Sequence, residues 1–183
     1  MTRLPTRLPD LILLQPRVFP DSRGLFFEAW EEARYRDVGI GEPFVQDNVS
    51  WSHPGVLRGM HVQNPQPQGK LVQALLGSIF DVALDVRAGS PTFGEWEAHE
   101  LSEENRRQFF IPRGFAHGFL VLRGPALVTY KCTGSYFAAG ELTVRFDDPD
   151  VGILWPTLDD AMVSEKDRQG VFLRDIPRDR LQF

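Results

Sequence analysis

Prolines and glycines divide this chain into short apolar runs along most of its length, fourteen of the first and sixteen of the second. Both residues disfavour helix interiors, so the pattern predicts many short strands joined by tight turns. Between Ser78 and Arg87, Phe80, Val82, Leu84 and Val86 alternate with Asp81, Ala83 and Asp85. A period of two predicts a strand with an apolar face against one layer and carboxylates on the other. Further strands are predicted at Leu11–Leu14, Leu25–Phe27, Glu95–Leu101, Arg107–Ile111, Gly118–Leu122, Ala126–Thr133 and Leu142–Phe146. The charged stretch Glu28–Asp37 is the best helix candidate, with Gly39 as its stop. Asp147 to Asp150 forms a turn, and Trp155-Pro156 ends the barrel. The expected architecture is all-β, an antiparallel jelly-roll barrel or sandwich with a few short peripheral helices.

The 183 residues suit one domain spanning 1–183, with a core large enough for independent stability. The segment at about 156–183 is expected to pack on the barrel. A net charge of −5 carries no basic footprint for nucleic acid. Anionic ligands remain open, because a few local Arg and Lys decide a site. The single cysteine, Cys132, excludes an internal disulfide and fits a reducing cytoplasm. No apolar run reaches membrane-spanning length, and the N-terminus lacks a secretory apolar core. Neither nucleic acid nor membrane is expected as a partner.

Two segments carry the chemistry: Leu57-Arg58-Gly59-Met60-His61-Val62-Gln63 with Gln68-Gly69-Lys70, and Pro112-Arg113-Gly114-Phe115-Ala116-His117-Gly118. Together they resemble the paired signatures of the cupin β-barrel. Metal-binding cupins carry a second His two residues after the first, and then a carboxylate. Here Gln63 stands in place of that His, and Gln68 and Lys70 lie where an acidic ligand belongs. Metal sites need three or four His, Cys or carboxylate ligands, so no metal is expected.

More of the chain resembles the dTDP-4-dehydrorhamnose 3,5-epimerase family. The matching pieces are Asp21–Glu28, Phe44–Asn48, Val56–His61, Gln68–Val72, Phe80–Ala83, Ser90–Gly94, Pro112–Phe119 and Ser164–Gly170, in the expected order. The resemblance implies a cupin-fold homodimer that inverts C3 and C5 of a dTDP-linked 4-keto-6-deoxyhexose without metal or redox cofactor.

Such chemistry needs a base, an acid and a group to stabilise an enolate. His61 is the candidate base, because imidazole is substantially neutral at physiological pH. A lone histidine would more often be a packed interior residue; Arg58 and Lys70 beside it favour catalysis. The family resemblance makes Asp167 its dyad partner, while Asp81 and Asp85 stay open as alternatives. Tyr130 resembles the family's proton donor, although its strand alone would suggest a core tyrosine. Lys70 is the candidate enolate stabiliser. Arg23 and Arg58 suit bidentate contacts to diphosphate. The resemblance adds Glu28, Gln46, Asp47, Asn48, Glu141 and Lys166 as nucleotide or sugar contacts, Tyr136 as the thymine-stacking residue and His117 as a substrate contact. The resemblance also implies that the N-terminal arm, about residues 1–50, contributes to the dimer, so Arg23 and Glu28 are expected from a partner subunit, with Phe26, Phe27 and Trp30 as interface or core residues.

The chain also departs from the family pattern. Val49 replaces a frequent histidine, Val62 replaces an aromatic, and Phe137–Glu141 lacks the customary proline. The stretch Leu142–Phe146 diverges as well. Three alternatives remain open: a monoepimerase acting at C3 or C5, a metal-dependent cupin, and a non-catalytic sugar-binding cupin.

Overall fold

The computed structural model describes residues 1–183. Two long strands organise it: β7 (Lys70–Asp85) and β10 (Phe115–Cys132). Each passes from one layer into the other. Residues 78–84 of β7 pair with β8 (Trp96–Ser102), whereas residues 70–73 pair with β9 (Gln108–Ile111). The start of β10 pairs with β6 (Val56–Gln63), and its end pairs with β5 (Gln46–Ser52). One layer therefore reads β8-β7-β10-β6-β11, closed by β11 (Glu141–Thr143). The other runs from β1 (Thr2–Leu4) and β2 (Ile12–Gln15) through β9, β7 and β10 to β5. The result is a cupin-type jelly roll.

The crossing of β7 between layers needs Gly77. Its φ is +72°, and a Cβ there would collide with the backbone carbonyls of Arg123 and Pro125. A smaller hairpin, β3 (Val18–Asp21) and β4 (Gly24–Phe27), stands apart from the main sheet.

Three apolar clusters hold the layers. Between them lie Leu11, Leu13, Val72, Ile79, Leu101, Phe109, Ile111, Phe115 and Val128. Each such side chain contributes about 1.5–3 kcal/mol by leaving water. Outside the first layer, Leu57, Met60, Val82, Leu84 and Leu120 pack against Trp155, Leu173, Ile176 and Leu181 of the C-terminal segment. Outside the second, Ile12, Leu14, Leu71 and Phe110 pack on Tyr35 of helix α1 (Glu32–Asp37).

Several expectations need correction. The helix begins at Glu32, not Glu28, because the Glu31 carboxylate accepts the amides of Ala33 and Arg34 and so caps it. Gly39, at φ +106°, follows its end. The strand expected from Ser78 starts at Lys70 instead. The two strands expected between Gly118 and Thr133 are one, with register shifts around Arg123 absorbing Gly124-Pro125. Strand β11 stops at Thr143, after which Val144 bridges to Val171. Asp81 and Asp85 do lie opposite the apolar face of β7, as the alternation predicts, and both are fully buried. Their row points between the layers, while Val82, Leu84 and Val86 meet the C-terminal segment.

Candidate active site

Strands β6 and β10 come together at His61 and His117, which are register partners. Two glycines permit the close approach beside them. A Cβ on Gly59 would run into Gly118 Cα and His117 O, and one on Gly118 would meet Met60 Sδ. Register parity sets His61 and His117 on the inner face, while Met60 and Val62 join the outer core.

His61 Nε2 lies 2.6 Å from Asp167 Oδ1. Asp167 belongs to helix α2 (Glu165–Arg168), whose N-cap Ser164 accepts the Asp167 amide. Gly59 N also donates to the Asp167 carboxylate. Burial works to raise this carboxyl's pKa, but the hydrogen bonds and the His61 charge outweigh it and hold it below 3.8. The group is therefore an anion at neutral pH, fixed against the imidazole.

A cavity of about 670 Å³ opens over His61. Its lining includes Lys70, Tyr130, His117, Arg58, Lys166 and Asp167. An adjoining recess of about 260 Å³ shares His61, Lys70 and Tyr130, and adds Gln46, Asn48, Tyr136 and Glu141. Base, phenol and ammonium thus face one continuous space. Burial raises the Tyr130 hydroxyl above 10.0, aided by Cys132 and Glu141 and opposed by Arg58. It arrives protonated. Burial pushes the Lys70 ammonium below 10.5, against the opposing pull of Cys132, Glu141 and Asp81.

At the rim, Tyr136 hydroxyl donates to Glu141 Oε2 at 2.8 Å, and Lys166 Nζ sits 2.6 Å from Glu141 Oε1. Gln46 Oε1 accepts the Tyr136 amide, and Asn48 Nδ2 donates to Cys132 Sγ. Arg58 Nε donates to Ser52 Oγ at 3.1 Å, leaving its terminal nitrogens for an anion.

Other expected residues lie elsewhere. Asp47 points outward and pairs with Lys131. Arg23 is at an exposed hairpin tip, paired with Asp21, and Glu28 is paired with Arg34. Neither lines the cavity. The alternative partners for His61 are also otherwise engaged. Asp81 Oδ1 lies 2.8 Å from His117 Nε2, while Asp85 accepts from Arg87, Ser90 and Thr92.

Some contributors carry little signal in the sequence. Ser164 positions Asp167, and Ser52 holds Arg58; only the first is foreshadowed, since Ser-x-x-Asp is a helix-start pattern. Gln63 braces the loop that carries Tyr136. Its amide nitrogen donates to the carbonyls of Gln66 and Ser135, and its oxygen accepts the Phe137 amide. No group of three or more His, Cys, Asp or Glu gathers closely enough to hold a metal.

Comparison with known proteins places the whole chain beside sugar-nucleotide epimerases. The dTDP-4-dehydrorhamnose 3,5-epimerase of Methanothermobacter thermautotrophicus is 51% identical over 174 residues, 94% of either chain. The crystal structure of dTDP-6-deoxy-D-glucose-3,5-epimerase from Legionella pneumophila, in complex with dTDP-4-keto-L-rhamnose, superposes with a TM-score of 0.96 at 45% identity, covering 99% of this chain and 97% of that one. A 3'-monoepimerase from Streptomyces bikiniensis, in complex with dTDP-quinovose, reaches 0.86 at 33% identity, covering 93% and 87%. The family model described as dTDP-4-dehydrorhamnose 3,5-epimerase matches residues 5–175. With most of its length matched in both sequence and shape, the chain belongs to the dTDP-4-dehydrorhamnose 3,5-epimerase family.

Proposed function

We propose that this protein converts dTDP-4-dehydro-6-deoxy-D-glucose to dTDP-4-dehydro-L-rhamnose, a step of dTDP-L-rhamnose formation. The supporting observation is the carboxylate-paired His61 sharing one cavity with Tyr130 and Lys70.

C3 and C5 both flank the C4 ketone, so loss of a proton from either gives an enolate. His61 takes that proton, and Asp167 steadies the imidazolium that forms. Lys70 presents its ammonium to the C4 oxygen, where charge develops in a site drier than bulk water. Tyr130 delivers a proton to the opposite face, and the centre inverts. Arg58 and Lys166 bind the diphosphate, Tyr136 stacks on thymine, and Gln46, Asn48, Glu141 and His117 contact nucleotide or sugar. No metal or redox cofactor takes part.

Arg23 and Glu28 act from a second copy of the chain in this reading. The exposed apolar side chains Phe19, Leu25 and Phe26 of the hairpin and Val49 and Trp51 of edge strand β5 supply the surface for a homodimer. Sedimentation at the mass of one chain would contradict it. A cytoplasmic location accords with a buried, unpaired Cys132. Recovery from an oxidising compartment would count against it.

The reaction is tested with dTDP-4-dehydro-6-deoxyglucose in deuterated water. Deuterium enters both C3 and C5 if the proposal holds. Exchange at one carbon alone would identify a monoepimerase, as in the Streptomyces relative, and exchange at neither would defeat the proposal.

A further inference from the structure

Three of the chain's four histidines stand on the inner face of one layer, each beside its own carboxylate. His61 faces Asp167, and His117 faces Asp81. His99 Nε2 lies 2.8 Å from Glu97 Oε1. The last pair takes no part in the site described above. His99 and Asp81 are register partners on β8 and β7, so their side chains emerge on the same face, directly opposite each other. Asp81 Oδ2 is buried and has no hydrogen-bond partner. An unsatisfied buried carboxylate oxygen is costly, and such groups call for an explanation. At the other end of the row, the His117 ring centroid lies 6.5 Å from that of Tyr130. The row therefore leads from Tyr130 across the layer to Glu97 near its edge, where the Glu97 carboxylate also receives the Leu8 amide at 2.7 Å.

Two inversions with one acid create a demand for such a row. After the first, Tyr130 is a phenolate and its proton is on the sugar. It must be refilled before the second, while the sugar still fills the cavity. His61, whose side chain keeps 31% of its surface exposed where the cavity opens, must also shed the proton it has taken.

We propose that His117, Asp81, His99 and Glu97 form an interior proton route that refills Tyr130 between the two inversions; this rests on the epimerase reading. In the first hop an N–H of protonated His117 breaks as the Tyr130 O–H reforms, with one water bridging the gap. The His117 ring then turns its vacated nitrogen to Asp81 and is refilled there by the carboxyl, which has accepted a proton at Oδ2 from protonated His99 and turns to donate. His99, held by Glu97 with 18% of its side-chain surface exposed, recovers its proton from solvent. Each hop breaks one N–H or O–H bond and forms another, and one solvent proton enters per refill.

The test uses His99→Gln, which can keep a hydrogen bond to Glu97, and Glu97→Gln, which can still accept the Leu8 amide. Singly and doubly inverted sugars are resolved in the early time course, alongside the single-turnover rate of the first inversion. The route predicts an unchanged first inversion, release of singly inverted sugar, and steady-state turnover reduced about tenfold. Imidazole added to His99→Ala restores double inversion. Wild-type product ratios and turnover in both Gln variants would overturn the route. Equal loss of both inversions without imidazole rescue would also overturn it, by reducing the row to a structural role. Failure of the unaltered protein to invert either centre would instead remove the epimerase reading.

Discussion

Asp167 presents its carboxylate to His61 from a helix of only four residues, with 2.6 Å between Oδ1 and Nε2. The pairing joins residues 106 positions apart in sequence and depends on the Ser164 cap that sets the helix in place. Asp167→Asn preserves shape and removes the charge that stabilises imidazolium. Turnover is expected to fall about 10²–10⁴-fold in steady-state assays, with dTDP affinity nearly unchanged. Because the folded carboxyl is held below 3.8, its contribution to stability is full above that value and is lost as pH falls through the lower folded pKa. Acid titration of unfolding in the two proteins should diverge only above that acid range.

Lys70 carries the next prediction. Burial lowers its pKa below 10.5, so the cation disappears earlier on the alkaline side than an exposed lysine would. The pH profile of turnover should show an alkaline limb below 10.5, and Lys70→Met should lose about 10²–10³-fold in rate. Full turnover in Lys70→Met would remove the ammonium from the mechanism.

Tyr136 is more than half exposed at the rim, with its hydroxyl tied to Glu141. Such a ring offers a platform for a base. Tyr136→Ala is expected to weaken dTDP binding by about 1–3 kcal/mol, read by calorimetry, with a raised KM and little change in kcat.

Tyr35 governs alkaline stability. Burial raises its pKa to about 12; the charge of Glu28 adds to this, and the hydrogen bond to Gln108 opposes it. The folded state therefore favours the neutral phenol. That contribution is fully present below pH 10 and declines as pH rises through about 12, by about 2–3 kcal/mol in total. Denaturant unfolding of Tyr35→Phe should lack this component of the alkaline decline.

The order of motifs along the chain makes the cupin barrel and the His61 neighbourhood legible in the sequence alone. Those motifs sit where backbone geometry demands particular residues: Gly59 and Gly118 must both be small for β6 and β10 to touch beside His61 and His117. Strand lengths are less legible. Gly77 and Gly124-Pro125 carry turn chemistry, yet bends and register shifts absorb them inside continuous strands. The helix start differs from expectation because Glu31 resembles a helix-interior residue until its carboxylate is seen capping two amides.

Alternation along β7 is real, but its two faces cannot be told apart from sequence. The carboxylate face is interior, because His117 and Arg87 provide partners from elsewhere in the chain or from the strand's own end. Glu97 and His99, two apart on a predicted strand, share a face by spacing alone. Their place beside Asp81 follows only from the β7–β8 register. Gln63 is legible as the loss of a metal ligand, whereas its bracing of the Tyr136 loop depends on three contacts brought together by folding.

In the proposed mechanism an imidazole removes the sugar proton and a phenol returns one from the other side. Exchange from deuterated water, compared between His61→Asn and Tyr130→Phe, tests it most directly. His61→Asn should incorporate deuterium at neither C3 nor C5. Tyr130→Phe should lose inversion while slow exchange with retained configuration persists, because the base is intact. Exchange at the unaltered rate in His61→Asn, or inversion at the unaltered rate in Tyr130→Phe, would contradict the account.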